Sequence, residues 1–154
     1  MEIVCGDLYI REIKQLIQLY LLELDRNLSF QNIEQELQDL HHKYCFPHGR
    51  LLAAIENSKV VGCVAYTKLN EHQCEMKRLY VLPSCRHQNI GQSLIKTIIQ
   101  TAGNDGYQEM LLDTISPLKQ AISLYHMFGF KECDPYYNNP MDDVIYMKKE
   151  LSRR

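Results

Sequence analysis

The chain has 154 residues, a net charge of −2 and 45% apolar residues. That length suits one domain, residues 1–154, built on a single core. The near-neutral charge excludes the broad basic face of a nucleic-acid binder, and no apolar run reaches the ~18 residues that a membrane span needs. The opening residues, MEIVCGDLYIREIK, show no basic segment followed by an apolar core. No signal peptide is therefore read, and the cytoplasm is the expected location. The basic pair Arg153-Arg154 reads as a solvated tail.

Residues 1–4 are a short apolar run, expected as an edge strand. Over residues 10–24, Ile10, Ile13, Leu16, Ile17, Tyr20, Leu21 and Leu24 share one face, which predicts an amphipathic helix. Ser29 is a candidate N-cap for a second helix carrying Ile33, Leu37 and Leu40, which Pro47 and Gly49 then interrupt. Strands follow at 50–55 and 60–69, joined by a tight turn at Asn57-Ser58. A third, at 74–81, comes after a polar turn at 70–73, giving an antiparallel meander.

Pro83 and Ser84 end the third strand. From Gln92 a helix places Leu94, Ile95, Ile98, Ile99 and Ala102 on one face, and Gly103-Asn104-Asp105-Gly106 stops it. A strand at 108–113 then implies a parallel, right-handed crossover. Ser116-Pro117 opens another helix with Ala121, Leu124, Tyr125 and Phe128 inward, capped by Gly129. A strand at 130–133, a long loop at 134–143 and a last strand at 144–151 complete the chain. The fold class is α/β: a mixed, mostly antiparallel sheet with one parallel strand pair and helices on both faces.

The stretch RLYVLPSCRHQNIGQ runs strand, polar loop, helix. Such an arrangement points the free N–H groups of a helix start, with their partial positive charge, at an anion. Arg86 adds a planar, permanently charged fork suited to phosphate oxygens. Six cysteines are scattered without a C-x-x-C pair and read as free, mostly buried thiols. His41-His42 beside Cys45 is followed by no second ligand cluster, so no metal is expected.

These residues carry a family resemblance. The loop Arg86-His87-Gln88-Asn89-Ile90-Gly91 resembles motif A of the Gcn5-related N-acetyltransferases, R/Q-x-x-G-x-G/A. Arg86 and Gly91 match, and Asn89 replaces the first glycine. Asparagine tolerates the left-handed region best among non-glycine residues, so the loop can keep its shape. KRLYVLP, LDT…AISLYHMFGF and PYYNNP are also similar to that family, and the likeness spans roughly residues 50–151.

The resemblance implies that the parallel strands splay apart and that acetyl-CoA enters between them. The pantetheine arm would pair with the backbone of Leu79, Tyr80 and Val81. The pyrophosphate would lie on the loop formed by His87, Gln88, Asn89, Ile90, Gly91 and Gln92, with Arg86 beside it and Ser93 as a further donor. An N–H near Val81 would serve the oxyanion. Where many members carry an asparagine, this chain has Leu118, so the resemblance implies that a cofactor contact from that side is either lost or made by Lys119 or Ser116.

Tyr125 takes the place of the family's general acid, and it also lies on an apolar helix face where it could be core. A phenol near ~10 matches a leaving alkyl thiolate well enough for proton transfer. Glu75 is the candidate base, through a water, or else a strand glutamate paired with Lys77 or Arg78; His72, His126 and Asp113 are weaker alternatives. The loop holding Tyr136, Tyr137 and Asn138 is either substrate-facing or plain turn chemistry. Arg78 or Lys77 could hold a substrate carboxylate, which favours a small amino-acid-like acceptor.

The expectation is direct acetyl transfer to a primary amine of a small molecule in a ternary complex, with no covalent intermediate and Cys85 as a bystander. A non-catalytic acyl-CoA-binding module and an enzyme acting on a protein amine are the alternatives. A nucleotide-binding domain has little support, because neither G-x-x-x-x-G-K-[ST] nor G-x-G-x-x-G occurs. Oligomeric state stays open, with a homodimer common in the family.

Overall fold

A computed structural model describes residues 1–152, with Ser29 described by its backbone alone. The elements, in chain order, are β1 (Glu2–Cys5), α1 (Ile10–Leu24), α2 (Ile33–Gln38), α3 (Leu40–Tyr44), β2 (Gly49–Glu56), β3 (Lys59–Lys68) and β4 (Gln73–Val81). They continue with α4 (Ile90–Asn104), β5 (Glu109–Ile115), α5 (Lys119–Met127), β6 (Lys131–Glu132) and β7 (Val144–Glu150). One seven-stranded sheet runs in the order β1-β2-β3-β4-β5-β7-β6. Every pairing is antiparallel except β4 with β5, as the meander and crossover require.

Alternation along the strands feeds two cores. On one face Val64, Tyr66, Cys74, Met76, Met110 and Leu112 pack with Leu94, Ile95 and Ile98 of α4, and Tyr125 of α5 joins them. On the other, Leu51, Ala53, Cys63, Ala65 and Tyr80 meet Ile13, Leu16 and Ile17 of α1 with Leu40 and Tyr44 of α3. The hairpin turn is as expected: Asn57 and Ser58 both have positive φ, at 50° and 63°, the backbone that a two-residue turn between twisted strands needs.

Several boundaries differ from the sequence expectation, α4 among them, which starts at Ile90 rather than Gln92. The second helix is two short ones, because Asp39, at φ −145° and ψ 71°, leaves the helical region between them. The cap expected at Ser29 falls on a side chain outside the described residues, and the first of these helices starts only at Ile33. Asp39 acts as a cap instead, its Oδ1 accepting from the His42 N–H at 3.0 Å. Pro117 precedes α5 by two residues rather than standing in its first turn. The Arg153-Arg154 tail lies outside the described residues.

Candidate active site

β4 and β5 pair over three positions only, Gln73 to Glu75 against Glu109 to Leu111. Beyond Glu75 they part, and residues 76–79 and 112–115 become the two walls of a cleft. A bulge bends β4 at this point: Arg78 has φ 62°, and the register against β3 shifts between Cys63 and Ala65. Tyr20 and Leu24 of α1 close one side, Leu118, Ala121 and Tyr125 another, and Met141 reaches in from the loop between β6 and β7. The expected splay is therefore present.

The end of α4 forms the anion-type loop. Asn89 holds φ 64° and ψ 17° as N-cap, so asparagine does supply the left-handed position where the motif has glycine. His87 is left-handed too, at φ 65°. Ser93 is the first residue to donate back, to the Asn89 carbonyl at 3.1 Å. That leaves the N–H groups of Ile90, Gly91 and Gln92 directed out of the helix end. His87, Gln88 and Asn89 are exposed, whereas the Ile90 side chain is buried in the core. A Cβ on Gly91 would meet only Leu124 and Val81 at 3.9 and 4.0 Å. Internal packing thus does not require glycine there, and the open space suits a ligand that approaches the backbone closely. The Ser93 hydroxyl, expected as a further donor, donates to the Asn89 carbonyl at 3.1 Å, since a serine in a first turn reaches its own preceding turn.

Both arginines of this stretch also depart from expectation. Arg86 lies in a bidentate pair with Glu23 of α1, at 2.9 and 2.9 Å, and its Nε donates to the Val81 carbonyl at 3.0 Å. Its guanidinium also covers the Tyr80 ring, and the Tyr80 hydroxyl donates to the same Glu23 at 2.9 Å. The fork therefore faces α1 rather than the helix start. Arg78 is buried, and Glu36 takes its Nε at 2.8 Å and one terminal nitrogen at 3.0 Å, with Gln31 beside it. It is a structural ion pair instead of a substrate anchor. The Arg78 and Lys43 charges hold the Glu36 carboxyl down to about 2 against the opposing effect of burial.

Tyr125 is buried and lines the cleft. Burial pushes its hydroxyl well up, and Tyr20 and Asp113 add to that. The phenol thus keeps its proton at neutral pH, and a thiolate formed in the same cleft would be raised wherever it is equally buried. Glu75 shows the pairing with Lys77 that is the alternative to a role as base. It occupies the last paired position, outside the cleft walls, and its carboxylate accepts from the Tyr136 hydroxyl at 2.5 Å with Lys77 Nζ at 3.6 Å. Asp113, two residues past the last pair on β5, does line the cleft. His72 and His126 are exposed and away from the cleft lining.

Tyr137 donates to Asp113, and Asn139 contacts the same carboxylate oxygen at 3.4 Å. Tyr136 and Tyr137 thus turn inward onto the two strand carboxylates, and of the three loop residues singled out only Asn138 is exposed. Lys119 is exposed at the start of α5 and Leu118 lines the cleft. Lys77 also faces the cleft, and burial lowers its ammonium despite the Glu75 charge. Tyr20 was missed by the sequence reading, whose only signal was its place on the apolar face of α1.

The acetyltransferase (GNAT) family model matches residues 13–130. An uncharacterised N-acetyltransferase of Schizosaccharomyces pombe is 44% identical over 92% of this chain and 88% of its own length. A GNAT-family acetyltransferase from Staphylococcus aureus superposes with a TM-score of 0.82 at 22% identity, covering 98% of this chain and 99% of that one. A GNAT-family acetyltransferase from Elizabethkingia anophelis, solved with acetyl-CoA bound, gives 0.61 at 24% identity over 73% of this chain and 82% of its own. With 118 consecutive positions matched by the family model and a relative of this identity along nearly all of its length, the chain belongs to the GNAT acetyltransferase family.

Proposed function

We propose that this chain transfers an acetyl group from acetyl-CoA to a primary amine of a small molecule, directly, with both substrates bound together. The observation that carries the reading is the β4–β5 ladder ending after three pairs, which opens a cleft lined by Tyr125 and Asp113. Bound acetyl-CoA would supply the activated thioester. The N–H groups of Ile90, Gly91 and Gln92 would hold its phosphates, and the unpaired edge of β4 at Leu79 would take its arm. The bound acetyl-CoA of the Elizabethkingia neighbour supports this choice.

Asp113 is better placed than Glu75 to take a proton from an incoming ammonium, because it faces the cleft. Tyr125 holds the proton that a departing thiolate needs. With Arg78 held by two hydrogen bonds to Glu36, Lys77, which faces the cleft and has the Glu75 carboxylate at 3.6 Å, is the cation that would meet a substrate carboxylate, in keeping with an amino-acid-like acceptor.

The test is release of free CoA from acetyl-CoA across a panel of amines and amino acids. Tyr125→Phe is expected to lower kcat by about a hundredfold or more while acetyl-CoA binding, followed by calorimetry, stays within a few-fold. Binding without turnover on any amine would favour the non-catalytic module. Turnover confined to peptides would favour a protein acceptor. A Tyr125→Phe variant with unchanged kcat would remove the acid assignment.

A further inference from the structure

We propose that Asp7, His41 and Cys45 form a binding site for a zinc-class divalent cation, remote from the cleft. Asp7 lies in the 3-10 turn Gly6–Tyr9 that follows β1, His41 lies in α3, and Cys45 closes that helix. The Cys45 thiol donates to Asp7 Oδ1 at 3.0 Å across 38 positions of sequence. One ligand atom from each residue lies within 4.8 Å of the others. Tetrahedral zinc, with bonds of ~2.0–2.3 Å, holds its ligand atoms about 3.5 Å apart, so small side-chain rotations bring the three donors to one ion.

The scaffold under these donors is fixed. A Cβ on Gly6 would come within 2.7 Å of Ile13 and 2.9 Å of Leu51, so the turn presenting Asp7 sits tight on the core. Leu40 and Tyr44, which flank His41 in α3, are 1% and 0% exposed. Asp7 and His41 are exposed while Cys45 is buried, so an ion would arrive from solvent and keep a water on its open side. A thiolate, an imidazole and a carboxylate together suit zinc; all-oxygen sites suit magnesium or calcium. As the metal–sulfur bond forms, the S–H bond breaks and its proton leaves to water. The ion would tie the N-terminal turn to α3. None of the three residues lines the cleft, so the site stands or falls apart from acetyl transfer.

Cobalt(II) chloride, titrated into the reduced, chelator-treated full chain, is the probe. The expected result is a thiolate-to-cobalt charge-transfer band with tetrahedral ligand-field bands, saturating at one equivalent and displaced by zinc. His41→Ala, an exposed change, should weaken binding by at least about tenfold, a loss that even outer-shell partners cause. Cys45→Ser should abolish the charge-transfer band. Zinc should raise the melting midpoint of the wild type by several degrees, as about a hundredfold excess over Kd predicts, and leave His41→Ala nearly unmoved. Absence of a thiolate band in the wild type, or an unchanged titration in His41→Ala, overturns the site. The His41→Ala result decides alone if Cys45→Ser does not fold.

Discussion

Arg78 and Arg86 stand eight residues apart, each gripped by a carboxylate from a helix on the same face of the sheet, yet their surroundings are opposite. The Arg78 and Glu36 side chains are 4% and 1% exposed; those of Arg86 and Glu23 are 35% and 46% exposed. A buried pair cannot be loosened without leaving a desolvated charge behind. An exposed pair is screened by salt and exchanges partners at little cost. Arg78 therefore belongs to the architecture, holding α2 against the bulge that opens the cleft. Arg86 is a charge at the mouth of the loop, held by a partner that water or a ligand anion can replace.

The largest effect should come from Arg78. Arg78→Met takes from the buried Glu36 carboxylate its two hydrogen bonds to the guanidinium and leaves Lys43 Nζ, at 2.8 Å, as its one remaining ion-pair partner among the described residues; it should lower unfolding free energy by about 3 kcal/mol in urea titrations. The double change Arg78→Met with Glu36→Leu should recover most of that loss, because a well-packed apolar pair is often no worse than a buried ion pair. A single variant losing less than about 1 kcal/mol, the range of exposed pairs, would erase the contrast between the two arginines.

Acid should reveal the same pair. The Glu36 carboxyl is depressed from its ordinary 4.5 to about 2. Its stabilisation is therefore complete above about pH 4.5 and drains away as pH falls toward 2, amounting to about 3 kcal/mol across that window. Stability measured between pH 6 and pH 2.5 should fall more steeply in the wild type than in the double variant. Equal slopes would mean that Glu36 does not drive the acid loss.

Local patterns were legible and long-range partnerships were not. The periodicity of α1 and α4, the turn at Asn57-Ser58 and the left-handed fitness of Asn89 all depend on neighbouring residues, and each is found as read. The splay came from the family resemblance, and the bulge at Arg78 accompanies it. By contrast, Glu36 lies 42 positions from Arg78, Glu23 lies 63 from Arg86 and Asp7 lies 38 from Cys45. No spacing rule links such residues, because the sheet and its flanking helices bring them together only after folding. The choice between Glu75 and Asp113 as base was not legible for a related reason. Glu75 and Asp113 are both strand carboxylates capped by successive tyrosines, and only the end point of the β4–β5 ladder separates the closed sheet from the cleft.

Smaller effects test the exposed pair. Arg86→Ala should change unfolding free energy by less than about 1 kcal/mol and weaken acetyl-CoA binding about tenfold, the worth of one charge-assisted hydrogen bond. Calorimetric titration measures the second quantity, and unchanged affinity would take Arg86 out of the phosphate site altogether.

Glu23→Gln is the subtlest change. It removes the negative charge that faces Arg86 while keeping a side chain of the same shape, so the guanidinium is released toward the loop. Acetyl-CoA binding should then tighten, by up to about fivefold at low salt, matching the free energy of one exposed ion pair. The gain should shrink as salt rises, since exposed charges are screened over about 8 Å at physiological ionic strength. Tightening would establish that Glu23 and the ligand phosphates compete for one arginine. Weakening would mean that Glu23 orients Arg86 for binding, and the exposed pair would then be as much a part of the scaffold as the buried one.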